Sequence, residues 1–241
     1  MPQPAFSVEP VRRRKVSDEV AERLQELMIG SELRPGDELP SERELMAMFG
    51  VGRTSVREAL VVLHRMGLIE VRNGERARVT KPSAASIVDG MSTSVRMFLA
   101  QPRGESEMHG ARVLLESMLA RNAAEHARPA DVERLRLALD ANERAIGDLG
   151  EFARTDLAFH LVLAEVTGNS IFPALHGAMA GWLAEQRNVS LRADGAELVA
   201  FASHRAIYAA VAAADADAAE AAMREHLGKV HAFYAAANTE S

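Results

Sequence analysis

Residues 39–79, LPSERELMAMFGVGRTSVREALVVLHRMGLIEVRNGERARV, decide the fold. Ser41 precedes an apolar run and Glu44 follows three residues on, the spacing of a capping box, so a helix starts here. Leu45, Met46 and Phe49 recur at helical spacing, and Gly50-Val51-Gly52 ends the helix. A second helix, from about Arg53 to Gly67, places Val56, Leu60 and Leu63 on one side. Its other side shows Arg53, Thr54, Ser55 and Arg57 near the start. Leu68–Val71 and Ala77–Val79 read as short strands around Asn73-Gly74, a strong hairpin signal. Helix, turn, helix and wing together predict a DNA reader, whose second helix turns its first residues to base edges and its free amides to phosphate. Taken singly, Arg43 and Arg57 have a plainer use in pairing with Glu44 or Glu58, and Arg65 in a solvated face. The Arg-Thr-Ser-x-Arg cluster straight after Gly-Val-Gly is what a surface helix does not need.

Charge is distributed as that reading requires. The chain of 241 residues has a formal net charge of −6, which is unexpected for a DNA binder until it is divided. Residues 1–80 balance 13 basic against 13 acidic side chains, whereas residues 82–241 carry 14 basic against 21 acidic. Within the first part, Arg12-Arg13-Arg14-Lys15 forms a basic arm suited to a minor groove or to phosphates, or simply a basic tail. Residues 53–80 hold six Arg against three Glu, a local phosphate footprint. Cysteine is absent, which removes disulfides and thiolate metal sites. No apolar run approaches the roughly 20 residues of a membrane span. The N-terminus lacks the apolar stretch of a secretion signal, so the cytoplasm is the expected compartment.

After Lys81-Pro82-Ser83 the texture changes. A connecting helix is expected over 84–100, and Gln101-Pro102-Arg103-Gly104 marks a second break. From about Met108 the chain is rich in Ala and Leu with helical periodicity. Helices are expected near 108–127, 130–147, 150–167, 171–190, 195–214 and 216–236. The expected architecture is mainly α: a basic arm (1–16), a winged helix-turn-helix with a small β wing (17–81), a linker helix (82–104) and an all-helical effector-binding bundle (105–238).

Four residues of the bundle suggest a metal site. Asp156 and His160 are four apart and so share one helix face. His204 and His226 lie on the last two helices, 22 residues apart, enough to finish one helix, turn and return beside it. One Asp with three imidazoles suits a single divalent first-row ion per chain, Zn²⁺ in the first place and Ni²⁺ in the second, with room left for water or a ligand. Any one histidine alone is more simply structural or exposed. His64, His109, His126, His176 and His231 are read that way.

The stretch LPSERELMAMFGVGRTSVREALVVLHRMGLI resembles the winged helix-turn-helix of the GntR superfamily of transcription regulators. The resemblance implies DNA contacts from Arg43, from Arg53, Thr54, Ser55 and Arg57, and from the wing-tip Gly74. Glu75 departs from the pattern, where a basic or neutral residue suits phosphate better; Arg72, Arg76 and Arg78 are placed to compensate. Asp156-Leu-Ala-Phe-His160, Gly168-Asn169, His204 and His226-Leu227 resemble the FCD effector domain of the FadR branch. In many members of that branch, an Asp and three His in these places hold a metal that helps to bind a small carboxylate. Arg112 and Glu116 match the branch on the first bundle helix. The resemblance therefore assigns Arg112, Glu116 and Asn169 to the effector pocket, Arg112 as a clamp for an anionic group. Its alternative is a surface i,i+4 ion pair between Arg112 and Glu116. PSERELMAMFGVGR, NGERARVTKPSA and LAEVTGNSIFPALH are most similar to the sialic-acid-responsive members, which implies N-acetylneuraminate as effector.

Three classes compete on the residues. A ligand-gated repressor that binds double-stranded operator DNA as a homodimer accounts for both halves. A metal-dependent hydrolase would use the Asp/His set, with no general base apparent beside it and the DNA reader unexplained. An architectural DNA-binding protein would leave the Asp/His set idle. The first is the expectation, with no catalytic residue.

Overall fold

The computed structural model describes residues 14–72 and 75–239. The tip of the wing, including Gly74, and most of the basic arm, including Arg12 and Arg13, lie outside them. The described residues divide into two compact units, with the boundary between Gly90 and Met91. No helix among them is long and apolar enough to cross a membrane.

The first unit is built from α1 (Val16–Ile29), α2 (Glu42–Phe49), α3 (Arg53–Arg65), β1 (Ile69–Glu70), β2 (Arg78–Val79) and α4 (Ala84–Asp89). The capping box expected from sequence is formed: Ser41 Oγ accepts from the Glu44 amide, and the Glu44 carboxylate accepts from the Ser41 amide at 2.7 Å. Gly50 closes α2 in the left-handed conformation, φ 64°, where any side chain would be strained. The wing strands pair antiparallel, Ile69 with Val79 and Glu70 with Arg78. On its other edge β2 bonds the approach to α2, since the Leu39 amide donates to Ala77 O and the Val79 amide to Asp37 O. The wing is thus tied to the helix-turn-helix by backbone bonds from both sides.

One apolar core joins these elements: Val20, Ala21 and Leu24 of α1, Leu39, Leu45, then Val56, Ala59 and Leu63 of α3, with Ile69 and Val79 of the wing. The inward face of α3 differs slightly from the expected one, with Ala59 buried and Leu60 only partly. α1 was not anticipated, because Val16–Ile29 carries five charged side chains that obscure its short apolar stripe.

The second unit comprises α5 (Ser92–Leu99), α6 (Gly104–His126), α7 (Pro129–Arg144), α8 (Leu149–Glu165), α9 (Ile171–Trp182), α10 (Ala184–Leu191), α11 (Ala196–Ala212) and α12 (Ala216–Thr239). Two expected helices are each divided in two. The connecting helix breaks at Gly90-Met91 into α4 and α5, the site of a helix-weakening glycine. The helix expected over 171–190 breaks at Leu183, whose φ of −100° and ψ of 17° leave the helical region. Gly177 and Gly181 weaken its last turns, and Arg187 donates to the freed Ala180 carbonyl at 3.2 Å.

The bundle core draws Ala120, Ala123 and Ala124 from α6, Leu135 and Leu139 from α7, and Phe159, Val162 and Leu163 from α8. Ile207, Ala210 and Val211 come from α11, and Ala219, Met223 and Leu227 from α12. The small alanines let α6 approach its neighbours closely. At its start, a Cβ on Gly104 would lie 2.0 Å from the Phe98 carbonyl oxygen, so this turn admits glycine alone.

Leu63 is fully buried while Met48 is 62 % exposed. Leu63→Ala is expected to lower the stability of the first unit by about 2–5 kcal/mol, and Met48→Ala to leave it within about 0.5 kcal/mol. Urea denaturation followed by circular dichroism measures both.

Candidate metal centre and DNA-reading face

α3 opens on Gly52, which offers no side chain to cap the first amides, so those donors stay available to phosphate. Arg53, Thr54 and Arg57 are exposed and Ser55 is partly buried, while Arg43 is exposed in the first turn of α2. The plainer alternative for Arg57 was a pairing with Glu58. The partner is instead Glu42, in the first turn of α2: its two carboxylate oxygens accept from Arg53 Nε at 2.8 Å and from Arg57 Nε at 2.9 Å. Hydrogen bonds from Arg53 and then Arg57 lower the Glu42 pKa. Exposed ion pairs of this kind contribute about 0–1 kcal/mol, so the clamp orients two guanidinium groups without holding them from a stronger anion. On the wing, Arg72 meets Glu70, Arg76 approaches Glu44 and Arg78 meets Glu38. The arginines expected to offset Glu75 therefore each face a carboxylate of their own.

In the second unit, Asp156 and His160 from α8, His204 from α11 and His226 from α12 converge, with one ligand atom from each within 4.8 Å of the others. All four are buried. Phe159 walls one side, its ring stacked on His204 at a centroid distance of 4.6 Å. His160 Nε2, His204 Nε2 and His226 Nδ1 are buried without a hydrogen-bond partner among the described residues. Burial lowers the pKa of His204 and pushes that of His226 well below the usual imidazole value, the neighbouring histidines adding to the latter. Burial raises the Asp156 pKa, but its imidazole neighbours, His204 foremost, more than reverse this and keep the carboxylate ionised. A carboxylate and three imidazoles with ring nitrogens left unpartnered, gathered in a dry space, form a donor set that fits a divalent cation.

Arg112 and Glu116 extend the cluster. Arg112 is 8 % and Glu116 3 % exposed, which rejects the surface pair. Arg112 Nε donates to Glu116 Oε1 at 2.6 Å, and Glu116 Oε2 lies 2.5 Å from His160 Nδ1. Burial raises the Glu116 pKa, yet Arg112 and then His160 bring it well below the ordinary value.

Asn169 is not brought to this group. It is exposed, and its side-chain oxygen accepts from the Ile171 amide at the start of α9. His176, read from sequence as structural or exposed, is buried with its ring stacked on that of His160 at 5.9 Å. Its Nδ1 lies 3.9 Å from Glu116 Oε1. A single His on an apolar helix gives no signal of such company. Asn142 was also missed, although it shares the buried stripe of Leu135 and Leu139 on α7. A polar residue on such a stripe is a signal that sequence offers. Among the other histidines, His126 is exposed, and His109 stacks on His231 at 4.1 Å with its pKa pushed down by burial to about 4.

A winged helix-turn-helix followed by a helical bundle with a buried ligand-binding cluster defines a class, the DNA-binding regulators that carry their own sensor. Residues 16–79 match the model of the bacterial regulatory proteins of the gntR family, and residues 107–229 match the FCD domain. The chain is 43 % identical over 229 residues to the HTH-type transcriptional repressor NanR of Cronobacter sakazakii, covering 94 % of this chain and 88 % of that protein. It is 43 % identical to that of Citrobacter rodentium, over 96 % of this chain and 90 % of the relative. Among solved structures, Streptococcus agalactiae GntR aligns with a TM-score of 0.58 at 24 % identity over 90 % of this chain and 99 % of its own. Escherichia coli McbR/YncC aligns at 0.52 and 18 % identity over 93 % and 99 %; these two likenesses bear on the fold. The chain belongs to the GntR family, in its FCD-containing form, and is a DNA-binding transcriptional regulator rather than an enzyme.

Purified protein is expected to carry about one divalent ion per chain, the stoichiometry of a single four-residue site. His160→Ala and His204→Ala are expected to lose it and to melt lower than the loaded parent, because an ion that binds the folded state alone stabilises it. Elemental analysis and thermal melting, with and without chelator, measure the two effects.

Proposed function

We propose that this protein is a repressor that occupies operator DNA as a homodimer in the cytoplasm and leaves it when N-acetylneuraminate binds the FCD domain. The observation that carries the reading is the buried cluster of Asp156, His160, His204 and His226 with the Arg112 guanidinium at its edge, on a chain that also presents Arg53 and Arg57 on a winged helix. Relatives at 43 % identity that bear the name of transcriptional repressors support the direction of control. The likeness of PSERELMAMFGVGR, NGERARVTKPSA and LAEVTGNSIFPALH to sialic-acid-responsive members supports the effector.

On the DNA side, Arg53 and Arg57 read base edges, with Arg43, Thr54, Ser55 and the wing-tip Gly74 positioning the backbone. On the effector side, Asp156 and the three histidines hold Zn²⁺, or Ni²⁺ in its place; a divalent ion there supplies a Lewis-acidic anchor for a carboxylate. Arg112 adds charge-assisted donors for the same group. Its carboxylate partner Glu116 keeps the guanidinium in place. Asn169, whose side-chain oxygen accepts from the Ile171 amide, borders the start of α9, which bears His176, and so contributes to the pocket indirectly. Effector binding changes DNA affinity to the extent that the two arrangements of the dimer bind it unequally.

Arg53→Ala and Arg57→Ala are each expected to cost about 1–3 kcal/mol in operator affinity with the fold intact. A gel shift with matched circular dichroism reads this, and unchanged affinity in both variants removes α3 as the reader.

N-acetylneuraminate is expected to give a calorimetric signal with metal-loaded protein and to weaken the operator complex. Arg112→Ala should blunt that response while leaving effector-free DNA binding at the parent level. Heat with lactate or a hexonate and none with N-acetylneuraminate would keep the class and replace the effector. Silence with every carboxylate would make the metal structural.

A further inference from the structure

Asn142 is fully buried on α7 and touches α8 and α11 at once. We propose that it is a positioning residue for the metal centre: it fixes His204 as the Nδ1–H tautomer and thereby presents the Nε2 lone pair to the cation. The proposal rests on the metal reading above for its purpose, and on geometry alone for the tautomer.

A chain of hydrogen bonds leads from α8 through Asn142 to His204. Thr155 Oγ1 lies 2.9 Å from Glu151 O and 3.0 Å from Phe152 O. Both carbonyls can only accept; with the hydroxyl proton given to one of them, Oγ1 is left as an acceptor toward the Asn142 amide. One end of that amide lies 3.0 Å from Thr155 Oγ1 and 3.4 Å from Phe152 O. In this arrangement that end is the NH2 group, donating to Thr155 Oγ1 and Phe152 O, and the flipped amide would set its oxygen against the Phe152 carbonyl. The other end is therefore Oδ1, and it lies 2.9 Å from His204 Nδ1. An amide oxygen has no proton to give, so Nδ1 carries it. Neutral His204 then has its lone pair on Nε2, 3.3 Å from the ionised Asp156 Oδ1. Two acceptors at that distance, in a pocket that burial has dried, are a poor pair on their own and a good pair of ligands with a cation between them.

Glu116 approaches His160 from the outer side, its Oε2 2.5 Å from Nδ1 without hydrogen-bond geometry, while Nε2 also lacks a partner. The two histidines thus face outer acceptors of different kinds, a carboxylate for His160 and an amide oxygen for His204. A buried amide gives the orientation without adding a third negative charge beside Asp156 and Glu116.

The experiment compares the parent protein, Asn142→Leu and Asn142→Asp. Long-range ¹H–¹⁵N NMR on chelator-treated protein identifies the His204 tautomer, its signal assigned by its disappearance in His204→Gln. Competition with a chromophoric chelator gives the Zn²⁺ affinity. The parent should show the Nδ1–H form. Asn142→Leu, which keeps the volume and removes the acceptor, should lose that preference and bind Zn²⁺ about 10–100-fold more weakly. Asn142→Asp, which restores an acceptor at the cost of a further negative charge, should return the tautomer to the parent form. A neutral Nε2–H imidazole in the parent protein overturns the proposal without recourse to any variant. So does a folded Asn142→Leu with parental tautomer and affinity. Zn²⁺ failing to bind the parent would end the metal reading, while the tautomer would still be decided by the NMR arm.

Discussion

An ionised carboxylate that cannot be hydrated is the constraint around which the sensor unit is arranged. Asp156 sits on α8 inside the bundle, and Glu116 sits nearby on α6. Burying either alone would be severely unfavourable. Each is therefore met from several helices: Arg112 and His160 approach Glu116, while His160, His204 and His226 surround Asp156. Alanine-rich stretches of α6, α11 and α12 allow the close helix approach that this convergence demands. The apolar core beside the cluster keeps water away, which strengthens the attraction between Arg112 and Glu116. Fold and site are consequently one design. The packing that stabilises the bundle is also what makes its polar centre receptive to a cation.

The DNA-reading unit solves a milder version of the same problem at its surface. Arg53 and Arg57 are one helical turn apart, long and flexible, and Glu42 from the preceding helix bridges both. The bridge makes the helix-turn-helix more than a way of presenting α3: the first helix supplies the group that holds the side chains of the second. Because the pairs are exposed, the arrangement restricts rotamers at small energetic cost, and a phosphate or base edge can take over the contacts.

Features that depend on neighbours in the chain were legible before the structure. Ser41 and Glu44 announced their capping box, Gly50 its turn, and the Asp156–His160 spacing a shared helix face, because helix geometry alone fixes such relations. His204 and His226 were placed with them by counting residues along two helices. Relations that arise only when helices pack were not legible. Nothing local to His176 indicates that it stacks on His160, and nothing in 171–190 measures how Arg187 compensates a break at Leu183. Glu58 was the obvious partner for Arg57 by sequence distance, whereas Glu42, 15 residues away, is its partner in space. Asn142 was the intermediate case. Its position on the Leu135–Leu139 stripe marked it as buried and polar, but its partners came from two other helices.

Trp182 is the single tryptophan of the chain. It ends α9, the helix that carries His176 to the polar cluster, and its indole Nε1 donates to Ser92 Oγ at the start of α5. α5 is the first element of the sensor unit after the boundary at Gly90-Met91. The molecule thus carries one indole, partly shielded from solvent, where the helix that bears His176 meets the first helix of the second unit. Its emission has no competing indole, and its wavelength and quenching report the polarity and rigidity of this joint. Changes at the contact between α9 and α5 can therefore be followed optically, without a label.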